Sequence, residues 1–400
     1  MKLSAEKRTD SVLLVANLGF ENELAAGKAR PALGRDALQA ATRAGALMRV
    51  LAGEGDTIWL PGPPGSLRMT PVPGLPAPDL IHGPLPRSWD GPVLAWGETE
   101  ATAALGAGFR QEGNSGSSVL DALLSAPKPD PEAAREANSK ALLEPLRAGL
   151  GCSLPGSGRA SREEDLLRLV GEARRIHGPA CGWVLKGEYC AAGRERLFES
   201  GGADPGPEIL AAAARLFRRH GVCLFEPWLR RTADFGCSLL IDGDQVRLTG
   251  VHRLLVSDRG RFQGVETVLP SRTVPGPVSP DRFEVYLSTE EAARMATVAG
   301  GTAAALGRIG YRGHVGIDFW RYVTAEGEDR INLLGEINAR LTFGLVAGVL
   351  VQRICAALGT DPGTPFRLWF GPEPRLSTGR RLPLVAEGPE GSSAITLSIP

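Results

Sequence analysis

Two apolar stretches toward the C-terminal end carry acidic and amide residues at strand spacing, and this pattern constrains the fold most. The mostly apolar run Ile331 to Leu334 leads into Gly335-Glu336-Ile337-Asn338-Ala339-Arg340, and upstream lies Gly316-Ile317-Asp318-Phe319. Side chains alternate faces along a strand, so Glu336, Asn338 and Arg340 point one way. A carboxylate placed in a buried strand is costly unless something offsets its charge. If the two strands pair, two carboxylates, an amide oxygen and a guanidinium share one patch. Hard oxygen donors of this kind, with positions left open for phosphate oxygens, suit Mg²⁺ and a nucleotide. The guanidinium can hold a carboxylate or acyl phosphate bidentately.

Four hundred residues exceed one small core and call for two or three subdomains. Lys plus Arg and Asp plus Glu are 45 each, so charge offers no general argument for nucleic acid or an anionic membrane as partner. The six cysteines show no CxxC and no His at metal spacing. They read as buried free thiols in a reducing cytosol. The apolar stretch from Ser11 to Phe20 is short and ends in Glu21-Asn22-Glu23, against a signal peptide, and no run is long enough to span a membrane. A cytoplasmic protein is the expectation.

Strand and helix patterns alternate over the first hundred residues: strands at Ser11–Ala16, Asp56–Leu60 and Pro92–Trp96, and helices at Asp36–Ala52 (capped by Asp36) and Glu98–Leu105. This predicts an open parallel sheet. The stretch from Pro61 to Pro86 is Pro-rich and reads as irregular. After a connector at Ser125–Pro131, helices are expected at Glu132–Leu150, at Glu163–His177 with a Ser161/Glu164 capping box, at Pro207–His220, at Thr289–Ile309 and at Gly344–Leu358. Strands are expected at Gly182–Lys186, Val222–Leu229 and Gly236–Asp242, the last turning through Asp242-Gly243-Asp244 into Gln245–Val256. His314–Val323 and Ile331–Ile337 form an antiparallel hairpin, and the last forty residues are Pro- and Gly-rich and give no pattern. GxxxxGK[ST], HExxH and a strand-borne GxGxxG are absent, and the Gly113-Asn114-Ser115-Gly116-Ser117 loop is no nucleophile elbow.

Further ordered motifs precede the acidic hairpin. Asn138-Ser139-Lys140 opens a helix, Trp183-Val184-Leu185-Lys186-Gly187 ends an apolar strand in a lysine, and Ala191-Ala192-Gly193-Arg194 follows as a flexible segment. Leu224-Phe225-Glu226-Pro227-Trp228-Leu229 is a hinge-like strand with Asp234 beyond it, and Gly250-Val251-His252-Arg253 lies on a later strand. From Ala137 to Leu358 this order resembles the ATP-grasp superfamily, whose members activate a carboxylate with ATP and pass the acyl phosphate to an amine, thiol or other nucleophile.

The resemblance implies an α/β protein. An ATP-grasp fold, two α+β subdomains sandwiching ATP, follows an N-terminal pre-ATP-grasp α/β domain. The expected divisions are 1–126 for that domain, 127–220 for the central region with lysine strand and glycine-rich flap, 221–360 for the nucleotide and metal domain, and 361–400 for a C-terminal segment. It also implies roles. Lys140 and Lys186 would contact nucleotide phosphates, with Gly193 in the flap. Glu226 and Leu229 belong to the hinge that reads the adenine edge, and Asp234 to the ribose site. Asp318, Glu336 and Asn338 would hold two Mg²⁺ ions, with Mn²⁺ as a substitute, and Arg340 and Arg253 would bind the reacting carboxylate or acyl phosphate. His252 reads as a packing residue. Two sequence departures stand out: Ser139 where the family has Asp, and Glu195 where the flap usually ends in Gly. The implied activity is amide formation between a small-molecule carboxylate, such as an amino acid, and an amine, releasing ADP and phosphate. A small-molecule phosphotransferase and a non-catalytic ATP-binding module are the alternatives, and homodimers are common among such ligases.

Overall fold

The computed structural model describes residues 11–27, 33–63, 65, 67–106, 123–190, 195–202, 204–257, 260–268, 275–359, 363, 365–371, 380–387 and 392–399. In the N-terminal part, strands β1 (Leu13–Val15), β2 (Thr57–Leu60), β4 (Asp79–His82) and β5 (Val93–Ala95) form a parallel sheet in the order β4-β2-β1-β5. The short strand β3 (Arg68–Met69) lies outside this sheet, helices α1 (Phe20–Ala26) and α2 (Arg35–Gly45) lie between β1 and β2, and α3 (Glu100–Ala103) follows β5. Continuous apolar runs such as Leu13-Leu14-Val15 suit strands buried on both faces, and all three residues are fully buried. The parallel sheet agrees with the alternating pattern. The Pro-rich stretch nevertheless contains β4, because a four-residue strand needs only an edge to pair with.

Helices α4 (Pro131–Ala137) and α5 (Leu143–Gly149) follow. The sequence pattern runs through both as one helix, but Asn138 and Ser139 interrupt it, with Ser139 capping a 3₁₀ turn at Lys140–Leu142. A small antiparallel sheet comes next, β6 (Gly158–Ala160), β7 (Gly182–Lys186), β8 (Arg196–Glu199) and β9 (Cys223–Trp228), in the order β6-β9-β7-β8. One of its faces, with Trp183, Leu185 and Phe225, is covered by α6 (Glu163–His177) and α7 (Pro207–His220). Ser161 does not cap α6: Arg162 is the N-cap, and Ser161 instead donates its N–H and hydroxyl to Asp165. Helix α2 likewise starts after Gly34 rather than at a capping Asp36.

The large sheet is built from β10 (Arg230–Asp242), β11 (Gln245–Val256), β12 (Phe262–Val268), β13 (Gly276–Pro277), β14 (Gly313–Val323), β15 (Asp329–Asn338), β16 (Pro365–Phe370), β17 (Arg380–Glu387) and β18 (Ser392–Ile399), and β3 joins its far end. The order is β15-β14-β10-β11-β12-β16-β18-β17-β3, with β13 pairing β11. The last forty residues therefore supply three strands. On one face Phe235, Cys237, Ile317 and Phe319 pack on helix α8 (Thr289–Arg308), which Ser288 and Glu291 cap as a box. Helix α9 (Phe343–Leu358), the C-terminal strands and β1 and β2 share one core, which joins the two ends of the chain. Among the described residues no helix is long and apolar enough to cross a membrane, and all six cysteines are free thiols.

Candidate nucleotide and metal site

Strand register places the acidic hairpin. Asp318 lies directly opposite Glu336 and, on its other side, opposite Gly236, while Gly316 faces Asn338. Directly paired residues share a face, so Asp318, Glu336 and Asn338 form one patch at the β15 end of the sheet. The hydrophobic partners Ile317 and Ile337 turn to the opposite face and the core. Asp234, two residues before Gly236, is on the patch side too, its carboxylate 2.8 Å from Arg231.

The electrostatics of the patch are unbalanced. Burial, and then repulsion from Glu336, push the Asp318 carboxyl up to about 7 against the pull of Arg340 and a hydrogen bond from Asn338. Burial would also raise Glu336, but Lys140 and Lys186 outweigh it and hold the carboxyl below its usual range. Two facing carboxylates with an amide beside them fit a divalent cation, whose charge would relieve their repulsion. Among the described residues no group of three or more His, Cys, Asp or Glu is arranged for a metal, so the donor set rests on two acids and an amide. The Asn338 Nδ2 donates to Asp318 Oδ2 at 3.2 Å and its Oδ1 accepts from Arg340 at 2.9 Å, so ligation through oxygen requires the carboxamide to turn over.

Cations approach from two directions. Lys140, at the 3₁₀ turn, donates to Glu336 at 2.9 Å and to the Cys190 carbonyl at 2.7 Å. Lys186 ends β7 on the face of the small sheet away from its helices, and its ammonium lies 2.5 Å from Glu226 Oε2. Glu226 is buried. Burial opposes its charge, yet Lys186 and Arg147 hold the carboxyl far below the usual carboxylate range. Leu229, between β9 and β10, is buried beside Trp320 and Tyr322.

Arg340 leaves the end of β15 toward the N-terminal part. Its Nε donates to Glu21 at 2.7 Å, its Nη1 to the Leu341 carbonyl, and its guanidinium lies over Trp96. Beside it opens a cleft whose walls include Trp96, Glu98, Lys128, Tyr311 and His314.

Arg253 does not join this patch. It pairs directly with Phe235, whereas its neighbour His252 pairs with Gly236, so Arg253 points to the α8 side of the sheet beside Glu266. The sequence placed it on the right strand, but the alternation of faces puts it on the wrong side. His252 is on the patch side yet buried among Gly236 and Gly344, and burial lowers it to about 4, in keeping with a packing role. Gly193 lies outside the described residues. Just after it, Glu195 takes a positive φ of 51°, so it keeps the left-handed backbone a glycine would favour.

Sequence reasoning missed Glu21, Glu98 and Arg147. The Glu21-Asn22-Glu23 run after the first strand was a usable signal for the first. Nothing in a helical run marks Arg147 as buried.

No family model matches the sequence, and no curated protein does. Solved structures do resemble it. A biotin carboxylase β-γ-ATP complex from Campylobacter jejuni superposes with a TM-score of 0.51 at 11% identity, covering 98% of this chain and 87% of the other. The chain has the ATP-grasp fold. An L-amino acid ligase from Bacillus licheniformis matches at TM-score 0.47 and 12% identity over 99% and 94% of the two chains. An N5-carboxyaminoimidazole synthetase from Staphylococcus aureus complexed with ADP matches at 0.44 and 10% over 90% and 82%.

Proposed function

We propose that the chain is an ATP-dependent ligase that activates a small carboxylate as an acyl phosphate and couples it to an amine, releasing ADP and phosphate. The observation that carries the reading is the pairing of Asp318 with Glu336 on one sheet face, with the Lys186–Glu226 pair of the small sheet close enough to act on Glu336. Asp318, Glu336 and Asn338 would hold magnesium, which supplies charge neutralisation at the phosphates when bound. Lys186 and Lys140, already drawn to Glu226 and Glu336, supply the protein's positive charge beside it. The backbone from Glu226 to Leu229 offers an edge for adenine, and Asp234 an acceptor for ribose hydroxyls. Arg340 keeps N–H groups beyond those given to Glu21, Leu341 and Asn338, and these can grip a carboxylate or its developing oxyanion.

The cleft beside Arg340 supports an amino acid as a substrate. Its walls set Glu98, with Lys128 beside it, in the same space as the Arg340 guanidinium, with apolar Val93, Leu123 and Leu341 around them. The test is ADP release by purified protein across amino acids crossed with amines, with inorganic phosphate measured in parallel. A ligase releases phosphate only when both substrates are present, whereas a kinase keeps it on a stable product. Glu336→Gln is expected to cut turnover at least a hundredfold while the protein remains folded; near-normal ADP release by that variant would sink the reading.

A further inference from the structure

Arg147 is fully buried on α5, far from either end of the acidic hairpin in sequence, and its guanidinium makes four hydrogen bonds to acceptors on three elements. Nε donates to the Leu334 carbonyl at 2.7 Å, and Nη2 to the Gly335 carbonyl at 3.2 Å and to Glu226 Oε1 at 2.6 Å. Nη1 donates to Glu144 Oε1 at 2.5 Å, and Glu144 is held in turn by Ser157. Leu334 and Gly335 immediately precede Glu336 on β15 of the large sheet, whereas Glu226 is on β9 of the small sheet. One planar fork thus bridges the strand carrying the metal acid and the strand carrying the hinge acid. The other Glu226 oxygen holds Lys186, so the chain of contacts runs from β15 through Arg147 and Glu226 to the lysine ammonium.

We infer that Arg147 is a positioning residue that sets the spacing between the Lys186–Glu226 pair and Glu336, and with it the seat of the nucleotide phosphates. The inference rests on the nucleotide reading above. A guanidinium suits the task because its donors diverge in one rigid plane, so three acceptors on two strands are fixed together; an ammonium cannot reach all three in the same directions. Burial opposes its charge, but Glu226 and Glu144 more than restore it, so the fork stays ionised.

The test compares wild type, Arg147→Lys, Arg147→Met and Glu144→Gln by calorimetric titration with Mg-ATP, by ADP-release kinetics and by thermal melting. Glu144→Gln loosens the outer end of the fork without removing a charge from the two strands, and it serves where Arg147→Met fails to fold. The expected result is a rise of tenfold or more in the Kd and KM for ATP in folded Arg147→Met, a smaller rise in Arg147→Lys, and a few-fold rise in Glu144→Gln. A purely structural role lowers the melting temperature and leaves the ATP constants of the folded fraction alone. ATP constants within twofold of wild type in every folded variant therefore overturn the inference. Wild type that binds no Mg-ATP overturns the nucleotide reading itself, and the inference with it.

Discussion

Among the described residues Lys186 has one ion-pair partner, the Oε2 oxygen of Glu226, and that pair faces away from the helices of the small sheet. Removing the ammonium leaves Glu226 still held by Arg147, so the fold survives while the charge offered to a phosphate disappears. Lys186→Ala is expected to weaken ATP binding at least tenfold, about 1.4 kcal/mol, with an unchanged melting temperature to within a few degrees. Equal ATP affinity by calorimetry would remove Lys186 from the site. At this scale the sequence was legible wherever a residue's strand and the alternation of faces determine its direction: Asp318, Glu336 and Asn338 come together because register allows nothing else. Arg253 was misread because its face depends on the phase of pairing with β10, which a single strand does not reveal. Arg147 and Glu21 were invisible for another reason. Their importance comes from partners about 80 and 320 positions away, and burial of a charge cannot be seen before those partners are in place.

At the scale of elements, the approach of α9 to the patch face of the large sheet depends on missing side chains. Its N-cap Thr342 packs against Gly316 and lies 3.2 Å from Ser238, and a Cβ at Gly344 would fall 1.9 Å from His252 Cε1. The ring has little room to give, because its Nε2 and Cε1 atoms also lie close over Gly236. Gly344→Ala is therefore expected to destabilise by about 2 kcal/mol or more through overpacking. Gly348→Ala, one turn along the same helix with nothing within 4 Å of its Cβ, should stabilise by up to about 1 kcal/mol through helix propensity. Chemical denaturation of both variants decides it, and equal effects would mean that the close approach carries no energy. The long helices were readable because 3.6-residue periodicity is local, as Pro207–His220 shows by matching to the residue. Strands β16 to β18 were not readable. Their partners are each other, β12 and the distant β3, their flanks are rich in Pro and Gly, and the pattern that buries Phe366, Leu368, Ile395 and Leu397 is too short to stand out alone.

For the molecule as a whole, two buried histidines tie stability to pH. His252 on β11 and His314 on β14 are each lowered by burial from 6.5 to about 4, and neither ring nitrogen of His314 has a hydrogen-bond partner among the described residues. The unfolded chain takes up a proton at each near 6.5, while the native protein refuses it until about 4. Between these values the unfolded state binds more protons, so each histidine makes stability rise with pH and fall as the solution is acidified. Buried acids work the other way: Asp318, raised to about 7, and Asp56 and Glu98, also raised by burial, bind protons more readily when folded. The net slope of the wild type is a sum of opposed contributions, and a difference between variants isolates one of them. His314→Leu removes one histidine without touching the patch. Across pH 4 to 6.5 its unfolding free energy should depend on pH less steeply in the rising direction than wild type, by about 1.4 kcal/mol per pH unit. Urea melts at half-unit pH steps supply both curves. Parallel curves would show that His314 takes up its proton in the native state as readily as in the unfolded chain, against the desolvation that lowers it.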